Sequence, residues 1–144
     1  MTRRLAGRCI IPGEARGAAL VSRRPLSFWG GLNPATGEIV DRHHDRCGEV
    51  VTGRVFLLPG GKGSSTASGC LLESVRVGTA PAAIVTRSLA PILALGAIVA
   101  DELYGRTVPM VLLDEESFGS IEDGETVTVE ADGTVTVEPA DTTT

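Results

Sequence analysis

The sequence predicts an α/β fold in a single domain, with a strand-rich core and a C-terminal β-hairpin. Only 3% of the 144 residues are aromatic, so the core has to be built from Val, Ile, Leu and Ala, a composition that suits a strand-rich α/β domain. Many short β-type runs are bounded by Gly, Pro or charged residues. Between residues 55 and 99, strand and helix patterns alternate. A chain of this length is most simply one domain.

The strands are predicted from short runs of β-branched and aliphatic residues. The runs before the C-terminal region are 8–11, 15–21, 53–58, 82–86, 97–100 and 108–113. At the end, 126–130 and 134–138 alternate Thr and Val around Asp132-Gly133. Asp-Gly supplies the positive φ of a tight turn, so 126–138 is predicted to be a hairpin. The polar tail 139–144 is expected to fray.

Two helices are predicted between these strands. The first begins within 64–66, has apolar residues at helical spacing, and stops at Gly78. The second has Ser88 as its N-cap, covers 89–95 with a proline tolerated in its first turn, and ends at Gly96.

Charge and composition exclude several classes of protein. The net charge is −5, with acidic residues concentrated after Asp114 and arginines scattered before Arg54, so the basic stripe that nucleic acid requires is absent from the sequence. No apolar run reaches the roughly 18 to 20 residues of a membrane span, and the arginine-rich start is not followed by a secretory apolar region. We therefore expect a cytoplasmic protein that binds neither nucleic acid nor membrane.

Three cysteines stand at wide spacings, and none forms a C-x-x-C or cysteine-histidine cluster: Cys9, Cys47 and Cys70. Such thiols behave as small hydrophobic residues in a reducing compartment. We expect no metal site from this chain alone.

A glycine-rich segment, 58–69, delivers Ser64 and Ser65 into the first predicted helix. Glycine lets the backbone approach a ligand closely, and the unpaired N–H groups of a helix start favour an anion. Lys62 is followed by Gly63 rather than Ser or Thr, so the segment is not a Walker loop, and G-x-S-x-G is also absent. From the residues alone, both a helix cap without catalytic function and an active-site loop remain open.

The segment 28–44 contains the only tryptophan and both histidines. One interpretation is a β-turn over 33–37 with solvated charges around it. The other brings Asp41, Arg42 and His43 near the serine segment, where arginine could grip a carboxylate or phosphate and histidine could transfer protons. The spacing does not decide between them.

Three segments in combination resemble the small subunit of aconitase X, over about residues 7–113. They read Gly-Gly-Leu-Asn-Pro-Ala-Thr-Gly-Glu-Ile-Val-Asp-Arg-His-His from 30, Pro-Gly-Gly-Lys-Gly-Ser-Ser-Thr from 59, and Ala-Pro-Ala-Ala-Ile from 80. The resemblance implies a swivelling β/β/α domain over 1–144 that forms a heterodimeric hydro-lyase with a large subunit. It implies that the large subunit holds the iron–sulfur cluster. It also implies a small hydroxy-acid substrate, with cis-3-hydroxy-L-proline the first choice and mevalonate 5-phosphate the second.

The resemblance also implies residue roles. Ser64 matches the family's catalytic base, although Ser65 is the neighbouring candidate. The implied substrate-binding residues are Lys62, Gly63, Ser65, Thr66, Asn33, Arg42 and His43. A serine hydroxyl is a poor base in water, so this role needs a dry site in which N–H groups stabilise the alkoxide.

Three positions depart from the family pattern: Lys62 replaces an arginine, Ala67 a glycine, and Asp45 a proline. A lysine keeps the charge but loses the bidentate grip of arginine. Two other classes of function stay open. One is a phosphohistidine-type carrier domain that uses His43 or His44, and the other is a non-catalytic module that binds an anion.

Overall fold

A computed structural model describes residues 2–26, 28–60 and 66–140, without the side chains of residues 29 and 66–68. The described elements are β1 (Arg3–Leu5), β2 (Arg8–Ile11), β3 (Ala15–Val21), α1 (Phe28–Gly31), β4 (Leu32–Asn33), β5 (Glu38–Ile39), β6 (Val55–Leu58), α2 (Thr66–Val77), β7 (Ala83–Thr86), α3 (Pro91–Tyr104), β8 (Met110–Leu112), α4 (Glu115–Gly119), β9 (Thr126–Val129) and β10 (Val135–Glu138). The predicted α/β class with a strand-rich core is confirmed.

The main sheet has eight strands in the order β1-β10-β9-β3-β6-β7-β8-β2, and β4 and β5 form a separate hairpin. Its centre is parallel, because β3, β6, β7 and β8 pair parallel to one another in that order. The outer pairs are antiparallel. The carboxyl ends of the four parallel strands therefore meet at one edge, which we call the carboxyl edge.

Two hydrophobic clusters cover the two faces of this sheet. In β6, Phe56 and Leu58 point into one cluster and Val55 and Leu57 into the other, since side chains alternate along a strand. The first cluster contains the inner faces of α2 and α3. The second contains the valines of the β9–β10 hairpin and Phe118 of α4. All four residues of β6 and of β7 are buried, as expected for parallel strands that are covered on both faces.

Most of the predicted elements are present. The strand predicted at 15–21 has those bounds, and the C-terminal hairpin turns through Gly133 at φ +96°. Helix α2 begins at Thr66 and is followed by Gly78 at φ +88°, as predicted. The turn over 33–37 is also present: the Gly37 N–H donates to the Asn33 carbonyl at 2.7 Å. Among the described residues, no helix is both long and apolar enough to cross a membrane.

The second helix was predicted wrongly at both ends. It runs from Pro91 to Tyr104, so the strand predicted at 97–100 is helical. The N-cap is Ala90 rather than Ser88, and Gly96 lies inside the helix. Gly96 is one of four buried residues at positions 93, 96, 97 and 100, a helical spacing in which its small size permits close packing.

Candidate functional site

The serine segment lies between two described elements at the carboxyl edge. Strand β6 ends at Leu58 and α2 begins at Thr66. The first N–H groups of a helix have no partner within it, and the helix dipole is positive there. In open α/β sheets, ligands bind outside the carboxyl ends of the strands. This edge is therefore the candidate site.

The predicted residues at the centre of the site lie outside the described residues. They are Lys62, Gly63, Ser64 and Ser65. Thr66 is the first residue of α2, and only its backbone is described. The assigned roles of these five residues stay predictions.

The start of the serine segment is fixed to the loop after β7. The Ser88 hydroxyl donates to the carbonyl of Pro59 at 2.7 Å. Pro59 and Gly60 are buried, and a Cβ added at Gly60 would collide with Ser88 Oγ. Ser88 is thus a residue of the site, although the sequence predicts it to be a helix cap. Its contact with Pro59 spans 29 positions, so no local pattern indicates it.

A cleft of about 880 Å³ opens at the same edge, beside Pro59. Its charged lining contains three arginines and three acidic residues: Arg23, Arg46, Arg87, Asp45, Glu122 and Asp123. Phe118 and Ile121 supply apolar surface. The formal charges of this lining sum to zero, three positive against three negative.

The arginines of the cleft differ in their partners. Arg46 Nη2 lies 3.0 Å from Asp123 Oδ2 and 3.3 Å from a Glu49 oxygen. Arg87 stands 5.9 Å from the centre of the Phe118 ring and 3.6 Å from Glu115. Arg23 is exposed. The cleft therefore presents guanidinium groups to solvent at the edge where the serine segment begins.

The turn that carries Arg42 and His43 also lies at the carboxyl edge. Both residues are exposed. The His43 N–H donates to Asp41 Oδ1 at 2.9 Å, and the His43 carbonyl accepts from Arg24 Nη1 at 3.0 Å. Since Arg24 follows the end of β3, this bond attaches the turn to the loop after β3, and the following residues of the turn, Asp45 and Arg46, line the cleft.

Asn33 lies at the end of β4, in the β4–β5 hairpin. Its Oδ1 accepts the Ala35 N–H at 2.9 Å, which closes a turn of the β4–β5 hairpin. The adjacent Pro34 carbonyl accepts from the hydroxyl of Thr79, beyond the C-terminus of α2. The carbonyl of the preceding residue, Leu32, lies 3.5 Å from Cys70 Sγ in α2, and the role of Asn33 in substrate binding stays a prediction.

His44 differs from His43 because it is buried. Its exposed fraction is 6%. Nε2 is 2.8 Å from Ser22 Oγ, and Nδ1 accepts the Arg46 N–H at 3.1 Å. A phosphoryl group has no access to either ring nitrogen in this arrangement, which disfavours His44 as a phosphohistidine.

Asp45 carries negative charge into the cleft. Burial acts to raise the pKa of its carboxyl, but hydrogen bonds from the Arg23 N–H and the Ser22 hydroxyl contribute to a net lowering of the pKa. The Arg23 N–H lies 2.9 Å from Oδ2. The carboxyl is therefore ionised at neutral pH.

The described part of the chain offers no ligand set for a metal or an iron–sulfur cluster. Within 2–26, 28–60 and 66–140, no group of three His, Cys, Asp or Glu residues is placed to hold a metal ion. The three thiols are free and lie on separate elements: Cys9 in β2, Cys47 in the turn after His44, and Cys70 in α2. Burial raises the pKa of the Cys70 thiol to about 11, which makes it a poor thiolate ligand.

Comparisons with known proteins agree on one family. Residues 4–137 match the family described as the aconitase X swivel domain. The cis-3-hydroxy-L-proline dehydratase of Pseudomonas aeruginosa is 49% identical over 108 residues, which are 75% of this chain and 19% of that protein. The phosphomevalonate dehydratase small subunit of Thermococcus sibiricus is 44% identical over 136 residues, which are 94% of this chain and 98% of that one.

A solved structure matches as well. The crystal structure of Thermococcus kodakaraensis aconitase X in its holo-form has a TM-score of 0.84 at 36% identity, covering 94% of this chain and 98% of that chain. The chain thus spans about a fifth of the hydroxyproline dehydratase (19%) and nearly all of the phosphomevalonate dehydratase subunit (98%).

Proposed function

The chain belongs to the aconitase X swivel-domain family, and from this premise we propose that it is the small subunit of a heterodimeric hydro-lyase that dehydrates a small hydroxy acid. The observation that carries the proposal is the serine segment, which joins the end of β6 to the start of α2 beside an arginine-lined cleft. The relatives named above are dehydratases or dehydratase subunits.

Ser64 is the proposed base that removes a proton from substrate carbon. The N–H groups at the start of α2 supply the positive potential that a serine alkoxide needs. Ser65 and the Thr66 backbone are proposed to hydrogen-bond the substrate, with Gly63 allowing close approach and Lys62 adding positive charge. Arg42 and His43, at the same edge, are proposed to bind its carboxylate. Asn33, at the end of β4 in the β4–β5 hairpin, completes the proposed set.

Of the two substrates, we favour cis-3-hydroxy-L-proline. The cleft lining balances three arginines with three acidic residues. A zwitterionic amino acid offers a carboxylate and an ammonium to such a lining. Mevalonate 5-phosphate carries negative charge at both ends, so the three carboxylates of the cleft lining would oppose it. The charge balance supports the amino-acid substrate.

The large subunit is the proposed owner of the iron–sulfur cluster. The described residues of this chain lack a cysteine set for it. We therefore expect the isolated chain to show no turnover and the reconstituted pair to be active.

The test is a Ser64→Ala variant assembled with the large subunit and assayed on both substrates. We expect the pair to assemble and keep its cluster absorbance while dehydration falls by about 10³-fold or more, since the base is lost. Ser65→Ala is the matched control, with a smaller loss. Full activity of Ser64→Ala would refute the assignment of the base, and a larger loss in Ser65→Ala would transfer that role to Ser65.

A further inference from the structure

A buried hydrogen-bonded cluster joins the two loops that carry arginines to the cleft. One loop is 22–24, which follows β3, and the other is the turn 41–46. Ser22 is fully buried and His44 is 6% exposed. Their side chains meet at 2.8 Å between Oγ and Nε2. Neither group is open to a substrate, so the function of the cluster has to be indirect.

One hydrogen bond of this cluster fixes which nitrogen of the His44 ring carries the proton. Nδ1 of His44 accepts the Arg46 N–H at 3.1 Å, so the proton of the neutral ring is on Nε2. Nε2 is then the donor to Ser22 Oγ or to the Arg24 carbonyl, which is 3.1 Å away. The Ser22 hydroxyl has one proton, which it can donate either to the same carbonyl at 2.7 Å or to Asp45 Oδ1 at 3.2 Å. The ring thus connects the backbone of one loop to the backbone of the other.

Three further contacts attach the cluster to its surroundings. The Ser22 N–H donates to the Leu57 carbonyl at 2.8 Å, which ties loop 22–24 to β6 just before the serine segment. Asp45 Oδ2 accepts the Arg23 N–H at 2.9 Å, and its Oδ1 is 3.2 Å from Ser22 Oγ. Loop 22–24 is therefore hydrogen-bonded to β6 on one side and to the turn 41–46 on the other, while Arg23 is exposed at the cleft.

We propose that His44 is a positioning residue, which with Ser22 locks loop 22–24 to the turn 41–46 and so fixes Arg23 and Arg42 before a substrate binds. The inference rests on the proposed function of the cleft. Loops that are already ordered lose less conformational entropy on binding. A guanidinium that is already correctly placed does not have to be oriented when the substrate binds. Loss of the lock should therefore weaken substrate binding more than it slows the chemical step.

Two substitutions separate the two bonds of the ring. In His44→Asn, the shorter side chain can still accept the Arg46 N–H, as Asn33 does from the residue two positions on, but it cannot reach Ser22. In His44→Gln, the longer amide can reach Ser22 as a donor. We expect KM to rise about tenfold in His44→Asn with kcat changed less than threefold, and His44→Gln to recover most of the loss.

Ser22→Ala and Ser74→Ala form a matched pair, which separates an effect on substrate binding from a general loss of stability. Both serines are fully buried, and the Ser74 hydroxyl donates to the Leu71 carbonyl at 2.7 Å in α2, away from the cleft. Both variants should lower the melting temperature, but only Ser22→Ala should raise KM. Equal kinetics in the two variants, or a loss in kcat alone, would overturn the positioning role.

Measurements that do not depend on enzymatic activity separate this inference from the proposed function. In the wild-type chain, ¹⁵N spectra of the His44 ring should show a proton on Nε2 only. Amide exchange at Arg23 and Arg46 should be slow, and it should quicken in Ser22→Ala but not in Ser74→Ala. If the assembled pair dehydrates neither substrate while these signals are as stated, the proposed function fails and the lock stands. A proton on Nδ1, or unchanged exchange in Ser22→Ala, refutes the lock itself.

Discussion

A methyl group added at Gly60 should break the bond that anchors the start of the serine segment. Gly60 is not among the glycines of positive φ, so the effect of Gly60→Ala is steric. The new Cβ would collide with Ser88 Oγ, which donates to the Pro59 carbonyl at 2.7 Å. The least costly relief is rotation of the Ser88 hydroxyl away from Cβ, and this removes the hydrogen bond.

The magnitude follows from that hydrogen bond. A net hydrogen bond contributes about 0.5–1.5 kcal/mol, and a buried carbonyl left without a partner adds to the loss. We expect Gly60→Ala to lower the free energy of unfolding by about 1–2 kcal/mol, which is about 3–6 °C in melting temperature for a chain of this size. Ser88→Ala removes the same bond and should cost the same. The double variant should then cost no more than either single variant.

The assay is thermal and urea unfolding of the four chains, followed by circular dichroism. Gly69→Ala is the control, because a Cβ at Gly69 in α2 meets no atom of the described residues within 4 Å and should stabilise the helix by about 0.5–1 kcal/mol. If the costs of Gly60→Ala and Ser88→Ala add in the double variant, the collision and the hydrogen bond are independent, and the reasoning is refuted.

Three other predictions concern the rest of the fold. Gly133→Ala forces a side chain onto φ +96° and places its Cβ 2.8 Å from a backbone nitrogen of β2, so unfolding experiments should give a loss of about 2–5 kcal/mol, and a loss below 1 kcal/mol would contradict this. The Arg3 guanidinium lowers the pKa of Glu125, so its stabilisation is present above the ordinary pKa of glutamate and is lost as pH falls through the lower folded value. Glu125→Gln should therefore be less stable than the wild type at pH 7, with a difference that begins to shrink near the ordinary glutamate pKa of about 4.3 and disappears only below the lower folded value; a difference that stays constant with pH would exclude this linkage. The Cys70 thiol, with a pKa of about 11, should react with iodoacetamide at pH 8 more slowly than the exposed Cys47, and mass spectrometry showing equal rates would be the opposite result.

Elements with local signals were predictable from the sequence, and those defined by distant partners were not. The hairpin around Gly133 and the stop of α2 at Gly78 each depend on a glycine of positive φ, which the sequence displays directly. Strand β1 has three residues and exists through its pairing with β10, 130 to 134 positions away. A glycine after an apolar run locally predicts a helix stop, but the spacing of Gly96 from Leu93 and Ala100 is that of a buried helix face.

The same distinction applies to the candidate site. The serine segment is a continuous motif, so its residue types and its link to a helix start are visible in the sequence. The contact between Ser22 and His44 spans 22 positions and has no motif. A sequence offers a pair of adjacent histidines, but burial of His44 and exposure of His43 arise only when the turn packs on the loop after β3.

Packing also divides the three cleft arginines by their availability to an anion. Arg46 pairs with Asp123, whose other oxygen accepts the Val21 N–H at 3.0 Å, so moving Arg46 would also release the end of β3. Arg87 is 3.6 Å from Glu115, a side chain that is 86% exposed, and an exposed pair of this kind is worth at most about 1 kcal/mol. A ligand carboxylate that binds the Arg87 guanidinium through two hydrogen bonds can replace Glu115 at little cost in free energy. Arg87, like the exposed Arg23, is thus available to a substrate, whereas Arg46 belongs to the frame that joins the turn 41–46 to the sheet.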